Sequence, residues 1–375
     1  MYRNGDFVSR AAKALCDSDE AGTLSWLRKL GLVWGQPTEE GLLYPYSNKA
    51  TTVLGVLLSA CERWGVEIQT DVRIDKVHAQ QGQASSFVLE GERGVEVSRD
   101  TTAKGRVKRK LAWEPCSVKS RRVVIAVGGA PSQDLVLGHE LVAACPVLAP
   151  MKAMGICSFD SLDGVRARAR LLVCKGDDVI FSEAGEVLFR SYGISGIVTF
   201  NASRHYSSGS MLYLDFAPDY REEDLLDLLR FIASSLGTDS ISDVLSGMLT
   251  PELVDYLVQV LEETLAYGAR VQADDEQAEP VSFEGKLRAL AAIMKSSPLV
   301  TVGVSDAVPP QVHRGGVDVA QIDPVTLESL IVKGLYVLGE ALDVDGPCGG
   351  YNLDWAWTCG ILAGSHIAAE LSLDN

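Results

Sequence analysis

The chain has 375 residues, is 47% hydrophobic and 22% charged, and carries a formal net charge of −16. Its size and composition suit a globular protein of two or three domains, and the acidic balance argues against nucleic acid or anionic membrane as main partners. The eight Cys form no Cys-x-x-Cys pair and no His stands at zinc-ligand spacing from one, so neither a metal site nor a disulfide framework is expected, and scattered Cys suit a reducing compartment.

The first residues, MYRNGDFVSRAAKALCDSDE, hold no signal-type apolar core, and no run is long enough to span a bilayer, so the chain reads as cytoplasmic. Apolar Phe7, Ala11, Ala14, Leu15, Leu24, Leu27 and Leu30 predict helix over 7–30, stopped by Gly31. A second helix fits 50–64 and ends at Gly65. In VEIQTDVRIDKVHA, the alternation of Val66, Ile68, Thr70 and Val72 predicts a strand. Residues 86–97 and 106–114 alternate likewise, forming a meander about a basic turn. The basic stretch 99–122 reads as a solvated hairpin surface, with a phosphate or partner site as the alternative. In RRVVIAVGGAPS, apolar 123–127 runs into Gly128-Gly129, which predicts a strand buried on both faces and entering a tight turn. GLYVLGE, 334–340, has the same form. Two such strands imply a parallel sheet with ligands at the strands' carboxyl ends.

The texture changes twice between those two strands. From 147 to 215, short β-like runs punctuated by Gly (GVRARARLLVCKG, DVIFSEAGEVLFR, GISGIVTFNASR, SMLYLDF) predict a small antiparallel β-domain. From 218 to about 294 the pattern is helical and acidic, with QADDEQAEP as an internal linker, and LVTVGVSDAV then returns to strand character. The layout is a sheet domain interrupted by a β-domain that carries a helical insert, closed by a helix over 353–371.

The stretch YVLGEALDVDGPCGGYNLDWAWTCG, 336–360, is the most specific in the chain. Gly339 lets the backbone turn at a strand's end. Glu340, Asp343 and Asp345 are acceptor-only when ionised and suit hydroxyls such as those of a ribose or ribityl chain. Gly346, Gly349 and Gly350 permit close approach of a flat ligand. A helix start near 351–353 offers free N–H groups to a phosphate or an electron-rich ring edge. A Ca²⁺ loop is the poorer alternative, because the other oxygen ligands are missing, and plain turn chemistry stays open.

These residues closely resemble the C-terminal motif of the YhiN/BaiN-like NAD(P)/FAD-dependent oxidoreductases, also called aminoacetone oxidase family FAD-binding enzymes. The match falls on Gly339, Glu340, Leu342, Asp343, Asp345, Gly346, Gly349, Gly350, Tyr351 and Asn352. HRGGVDVAQIDPVTLESLIVKGLYVLGE, GEVLFRSYGISGIVTFNASR, GLLYPYSNKATTVLGVLLSACERWGVEI and VVIAVGG are similar to further blocks of that family, in order. The resemblance implies an α/β fold: an incomplete Rossmann-like FAD domain interrupted by a β-barrel-like domain carrying a helical insert. The implied boundaries are 1–146 and 314–375 for the FAD domain, 147–217 with 298–313 for the β-domain, and 218–297 for the helical subdomain. It implies FAD contacts from Gly339, Glu340, Asp343, Asp345, Gly346, Gly349, Gly350, Tyr351, Asn352 and Leu353. Gly315 and Gly316 would approach the ring side, Gly128 and Gly129 the nucleotide, and Ile74 the adenine.

The chain departs from the family at its start, where no strand–Gly-x-Gly-x-x-Gly–helix unit for the pyrophosphate is present. Weak FAD binding by this chain alone is therefore expected. An upstream start, a truncated relic, or a separate chain supplying the missing unit would each account for it. The expected function is an FAD-dependent oxidoreductase acting on a small molecule, with NAD(P)H as a candidate second cofactor. The alternative is a non-catalytic remnant or one component of a two-chain flavoprotein. A flavin does its own redox chemistry, so no side-chain nucleophile is required. His313 is the candidate acid/base residue, against a plain loop His. Cys348 and Cys359 read as small buried hydrophobes, and Trp355 and Trp357 as helix packing.

Overall fold

The structure is a computed structural model, described here at every position except 19–21, 39–40, 81–85, 102–106, 272–280, 306–307 and 374–375. It forms two compact units, Met1–Cys145 with His313–Asn375, and Pro146–Val312. The linker expected at 272–280 lies outside the described residues, as does the part of the expected basic turn from 102 on.

The first unit opens with α1 (Gly5–Cys16), whose Phe7, Val8, Ala11 and Leu15 recur at helical spacing and are buried. The helix expected over 7–30 is in fact two. α1 ends at Asp17, and α2 (Thr23–Lys29) begins after Gly22 at φ 103; Leu24, read as part of the apolar face, is 45% exposed. α3 (Ala50–Arg63) ends where Gly65 turns at φ 70. The strand expected from Val66 starts later, as β1 (Val72–Gln80). Residues 66–70 join no ladder among the described residues, and Val66 and Ile68 are more than half exposed, so alternation alone did not make a strand. β1 pairs antiparallel with β2 (Ser86–Thr101), which pairs antiparallel with β3 (Val107–Ser120), a longer hairpin than the alternation indicated. β4 (Val123–Ile125), α4 (Gln133–Val136) and β5 (Leu141–Val147) complete the first pass through this unit.

The second unit is built on a closed six-stranded barrel. Its strands are β6 (Met151–Met154), β7 (Arg166–Lys175), β8 (Asp178–Arg190), β9 (Gly193–Ser195), then, past α5 (Ile197–Ser203), β10 (Met211–Asp215), and finally β11 (Ser297–Val304). Their order around the barrel is β10-β11-β6-β9-β8-β7. β7 shows why: Ala167, Ala169, Leu171 and Val173 are buried and alternate with Arg166, Arg168 and Arg170, so one face fills the barrel and the other is wet. The β-like run GISGIVTFNASR is only partly strand. Gly196, at φ 99, turns the chain, and its β-branched successors form α5 instead, with Thr199 Oγ1 donating to the Ser195 carbonyl at 2.9 Å.

The helical insert between β10 and β11 consists of α6 (Glu222–Leu236), α7 (Ile241–Leu245), α8 (Pro251–Val271) and α9 (Phe283–Lys295). α7 and α9 are capped by Ser240 and Ser282, whose side chains accept from Asp243 N and Gly285 N. Lys295 Nζ donates to Asp215 Oδ2 at 2.6 Å and to the Ala217 carbonyl at 2.9 Å, tying α9 to β10.

The chain re-enters the first unit through β12 (Val312–Val317), which pairs with β5, then β13 (Leu335–Val337) and α10 (Tyr351–Leu373). β13 lies parallel to β4, with Leu335, Tyr336 and Val337 opposite Val123, Val124 and Ile125. All three residues of β13 are fully buried. β4 was expected to be buried on both faces and is not. Val123 and Ile125 are buried, but Val124 is 43% and Val127 55% exposed, so one face of β4 is left uncovered. Among the described residues no helix is long and apolar enough to cross a membrane.

Candidate functional site

The carboxyl ends of β4 and β13 emerge side by side, because the strands are parallel and in register. One leads to Gly128-Gly129, the other to Gly339-Glu340. The Leu338 amide bonds the Ile125 carbonyl at 2.9 Å, and the chain then turns at Gly339, φ 60, where buried Trp355 of α10 donates Nε1–H to the carbonyl at 3.1 Å. Glu340 Oε1 accepts from the His313 amide at 2.7 Å and stands 3.8 Å from His313 Nδ1. Gly129 closes this group: a Cβ there would lie 2.5 Å from Glu340 Oε1 and 2.7 Å from His313 Cβ. Gly129, His313 and Glu340 are thus brought together from three distant segments, at the place where an open parallel sheet takes its ligands.

The two aspartates of the loop are engaged elsewhere. Asp343 is 4% exposed; its Oδ1 accepts from Arg3 Nε at 2.7 Å and from the Gly315 amide at 3.1 Å, and its Oδ2 from Asn4 Nδ2 at 3.3 Å. Asp345 is fully buried and takes Arg314 in a two-pronged bond, Nε to Oδ1 at 2.8 Å and Nη2 to Oδ2 at 3.2 Å. Burial works against the Arg314 charge, but the bond and the negative charge of Asp345 outweigh it and raise its pKa. The Arg3 amide also bonds the Asp345 carbonyl at 2.8 Å. These carboxylates, read from the sequence as acceptors for ligand hydroxyls, accept from protein donors and shape the loop. Gly315 and Gly316 play a similar part, since the space a Cβ would need is filled by the Ala143 and Ala341 carbonyls, each at 2.5 Å.

The rest of the loop leads into α10. Asn352 bridges it reciprocally, Oδ1 accepting from the Gly346 amide at 2.8 Å and Nδ2 donating to the Gly346 carbonyl at 3.1 Å. Gly346 packs against the Tyr2 ring and Gly349 against Leu42. Gly350, φ 92, and Gly128, φ 78, face open space. Tyr351 is 46% and Leu353 59% exposed. The helical bond of Asp354 N to the Gly350 carbonyl leaves the N–H groups of 351–353 without partners inside the helix, so the start of α10 presents donors and a positive dipole end. Tyr2 Oη donates to the Tyr351 carbonyl at 2.6 Å, and burial raises the Tyr2 pKa, so its proton stays in place. Ile74 lies apart from these contacts, half-buried on β1 opposite Gly91. Burial pushes the Cys359 thiol up to about 12, which leaves it inert, as the sequence reading supposed.

Arg3, Asn4 and Arg314 were not singled out from the sequence. Arg3 and Asp343 are 340 positions apart, and no local spacing signals such a bond. The available hint was an Arg-Asn pair ahead of an apolar helix, in a chain whose acidic loop needs buried countercharge. As a whole the edge offers open space at Gly128 and Gly350, backbone N–H groups, one half-exposed aromatic ring and one imidazole. That set suits the face and polar edge of a flat heteroaromatic cofactor.

Comparison with known proteins gives a consistent set of matches. The model of the HI0933-like protein Rossmann domain matches residues 2–366. The chain is 30% identical over 365 residues, 93% of its length and 80% of the relative's, to the 3-dehydro-bile acid delta(4,6)-reductase of Clostridium scindens. It is 30% identical over 360 residues to the ribosomal RNA dihydrouridine synthase of Escherichia coli, covering 92% and 79% of the two chains. The enzyme of the same name from Haemophilus influenzae is 23% identical over 373 residues, 95% and 78%.

Proposed function

The chain belongs to the HI0933-like Rossmann-domain family, and from that premise we propose that it is an FAD-dependent oxidoreductase that reduces a carbon–carbon double bond conjugated to a carbonyl in a small molecule, with NAD(P)H as electron donor. The observation that carries the cofactor assignment is the convergence of Gly128-Gly129, His313 and Gly339-Glu340 at the carboxyl edge of the parallel pair, beside the exposed start of α10. The substrate class rests on what two relatives' names share. A delta(4,6)-reductase of a 3-dehydro compound saturates an alkene conjugated to a ketone. Dihydrouridine differs from uridine by saturation of a ring double bond conjugated to a carbonyl. A small molecule is favoured over RNA for this chain by its net charge of −16.

In this reading the flavin supplies the two-electron chemistry. The protein supplies position and a proton. Gly128 and Gly350 admit the ring system by lacking side chains, Gly129 and Gly349 let Glu340, His313 and Leu42 pack close beside it, the amides of Tyr351, Asn352 and Leu353 face its polar edge, and Ile74 lies on the adenine side. Asp343, Asp345, Gly346, Gly315 and Gly316 hold the loop in shape. Glu340 orients His313, the half-exposed proton donor. Residues 1–375 contain no Gly-x-Gly-x-x-Gly turn for the pyrophosphate.

The test is twofold. Purified protein, alone and after addition of FAD, is examined for bound flavin by its visible spectrum, then for NAD(P)H-dependent reduction of a conjugated enone. Gly350→Val, a β-branched residue at φ 92, is expected to lose bound flavin and some stability, so flavin is read under conditions where Trp emission shows it folded. Flavin retained in Gly350→Val removes the loop assignment, and flavin-replete protein inert towards enones removes the substrate class.

A further inference from the structure

A second constellation sits at the other end of α10. His366 and Glu370 are four residues apart and share one helix face, and Glu328 reaches them from the segment before β13. One potential ligand atom from each lies within 4.8 Å of the other two. Each group is tied to the fold by a hydrogen bond and keeps a lone pair to give. Glu328 Oε1 accepts from the Gly334 amide at 2.7 Å, which leaves Oε2. Glu370 Oε2 accepts from Tyr336 Oη and Arg122 Nε, both at 3.2 Å, while Oε1 has the Lys333 ammonium at 3.9 Å. Tyr336 has one hydroxyl proton and gives it to Glu370. His366 Nδ1, 3.0 Å from the same hydroxyl, must therefore donate its own, and Nε2 keeps the lone pair. A fully buried tyrosine that fixes the tautomer and ring orientation of a half-buried histidine is how outer partners prepare a metal ligand.

We propose that Glu328, His366 and Glu370 form a binding site for a divalent first-row transition ion. One imidazole nitrogen and two carboxylate oxygens suit Zn²⁺, Co²⁺, Mn²⁺ or Fe²⁺; Ca²⁺ asks for six or more oxygens. Three protein ligands leave further positions for water. The site lies in the last two turns of α10, where the negative end of the helix dipole favours a cation. Arg122 and Lys333 oppose it. Burial raises the Glu370 pKa, but the Tyr336 and Arg122 bonds outweigh it and lower it. The same charges set the affinity below that of an all-Cys or Cys/His site. About fifteen residues of helix, about 22 Å, separate this site from the glycine loop, so the ion's part is to staple α10 to the segment before β13. Cys/His spacing gave no hint of it, because the three ligands follow none of the short zinc patterns.

The probe is Co²⁺. The full chain is stripped with a chelator, dialysed and titrated, and bound metal is read from the visible ligand-field bands and by equilibrium dialysis. The expected result is one equivalent with a nitrogen/oxygen spectrum and no thiolate charge-transfer band. Glu328→Gln and His366→Ala are each expected to bind about tenfold or more weakly. Glu328→Gln keeps side-chain size and the Tyr336–His366 contact, so it remains readable if His366→Ala unfolds. No binding by the wild type, thiolate bands, or wild-type affinity in Glu328→Gln would each overturn the proposal.

Discussion

Asp345→Asn tests the framework of the candidate loop most sharply. Asp345 is fully buried and Arg314 keeps only 23% of its side chain exposed, so the substitution leaves a guanidinium facing a neutral amide in a confined space. Breaking a buried pair from one side costs about 3–5 kcal/mol; the partial exposure of Arg314 places this case near the lower end, about 3 kcal/mol. In a unit of this size that corresponds to a fall in Tm of about 6–12 °C. All six Trp (Trp26, Trp34, Trp64, Trp113, Trp355 and Trp357) lie in the first unit, so Trp emission during heating or urea unfolding follows that unit alone. The double variant Asp345→Leu/Arg314→Met, which removes both charges, should recover most of the loss. A single variant within about 1 kcal/mol of wild type, or a double variant worse than the single, would refute the assignment of Asp345 as a buried framework charge.

Other outcomes follow from the same geometry. Gly129→Ala should destabilise the first unit by about 1–3 kcal/mol, since its Cβ must displace Glu340 and His313, whereas Gly128→Ala, in open space, should cost about 1–2 kcal/mol of left-handed backbone strain; urea midpoints by Trp emission compare them. Burial raises the Glu183 pKa, and the Asn201 bond only partly offsets this. The native state therefore holds that proton more tightly than the unfolded state does. Glu183's contribution should be most favourable below the ordinary carboxylate range and fall as pH rises from there through its raised native pKa. Glu183→Gln should abolish that fall and be the more stable protein at pH 7, measured by far-ultraviolet dichroism against pH. With a thiol near 12, Cys359 should escape alkylation in native protein at pH 8 while exposed Cys16 and Cys145 react, as peptide mapping would record.

How far the sequence went depended on whether the deciding contacts were local. The strict alternation of β7 and the Ser caps of α7 and α9 are nearest-neighbour features, and such features carry the barrel and its helical insert. The two apolar runs ending in Gly were legible as parallel strands for the same reason. Residues 66–70 and IVTFNAS were misleading, because alternation and β-branching describe side chains, while a strand also needs a partner for its backbone. In the loop, the glycines and the helix start were legible. The engagement of Asp343 and Asp345 was not, since it depends on Arg3, Asn4 and Arg314 arriving from the chain's first residues and from β12. An acidic residue in a Gly-rich turn looks the same on paper whether it waits for a ligand or is already satisfied by an arginine.

The central claim is that the edge formed by Gly128-Gly129, Gly339-Glu340 and the start of α10 receives a flavin. Titrating the purified full chain with FAD and following the quenching of flavin fluorescence tests it most directly. The account predicts saturable quenching in the wild type, lost in Gly350→Val, whose backbone strain lowers the Trp-monitored unfolding midpoint but leaves a folded first unit to assay. Equal quenching in both proteins, or none in the wild type at FAD concentrations far above the protein's, would contradict it.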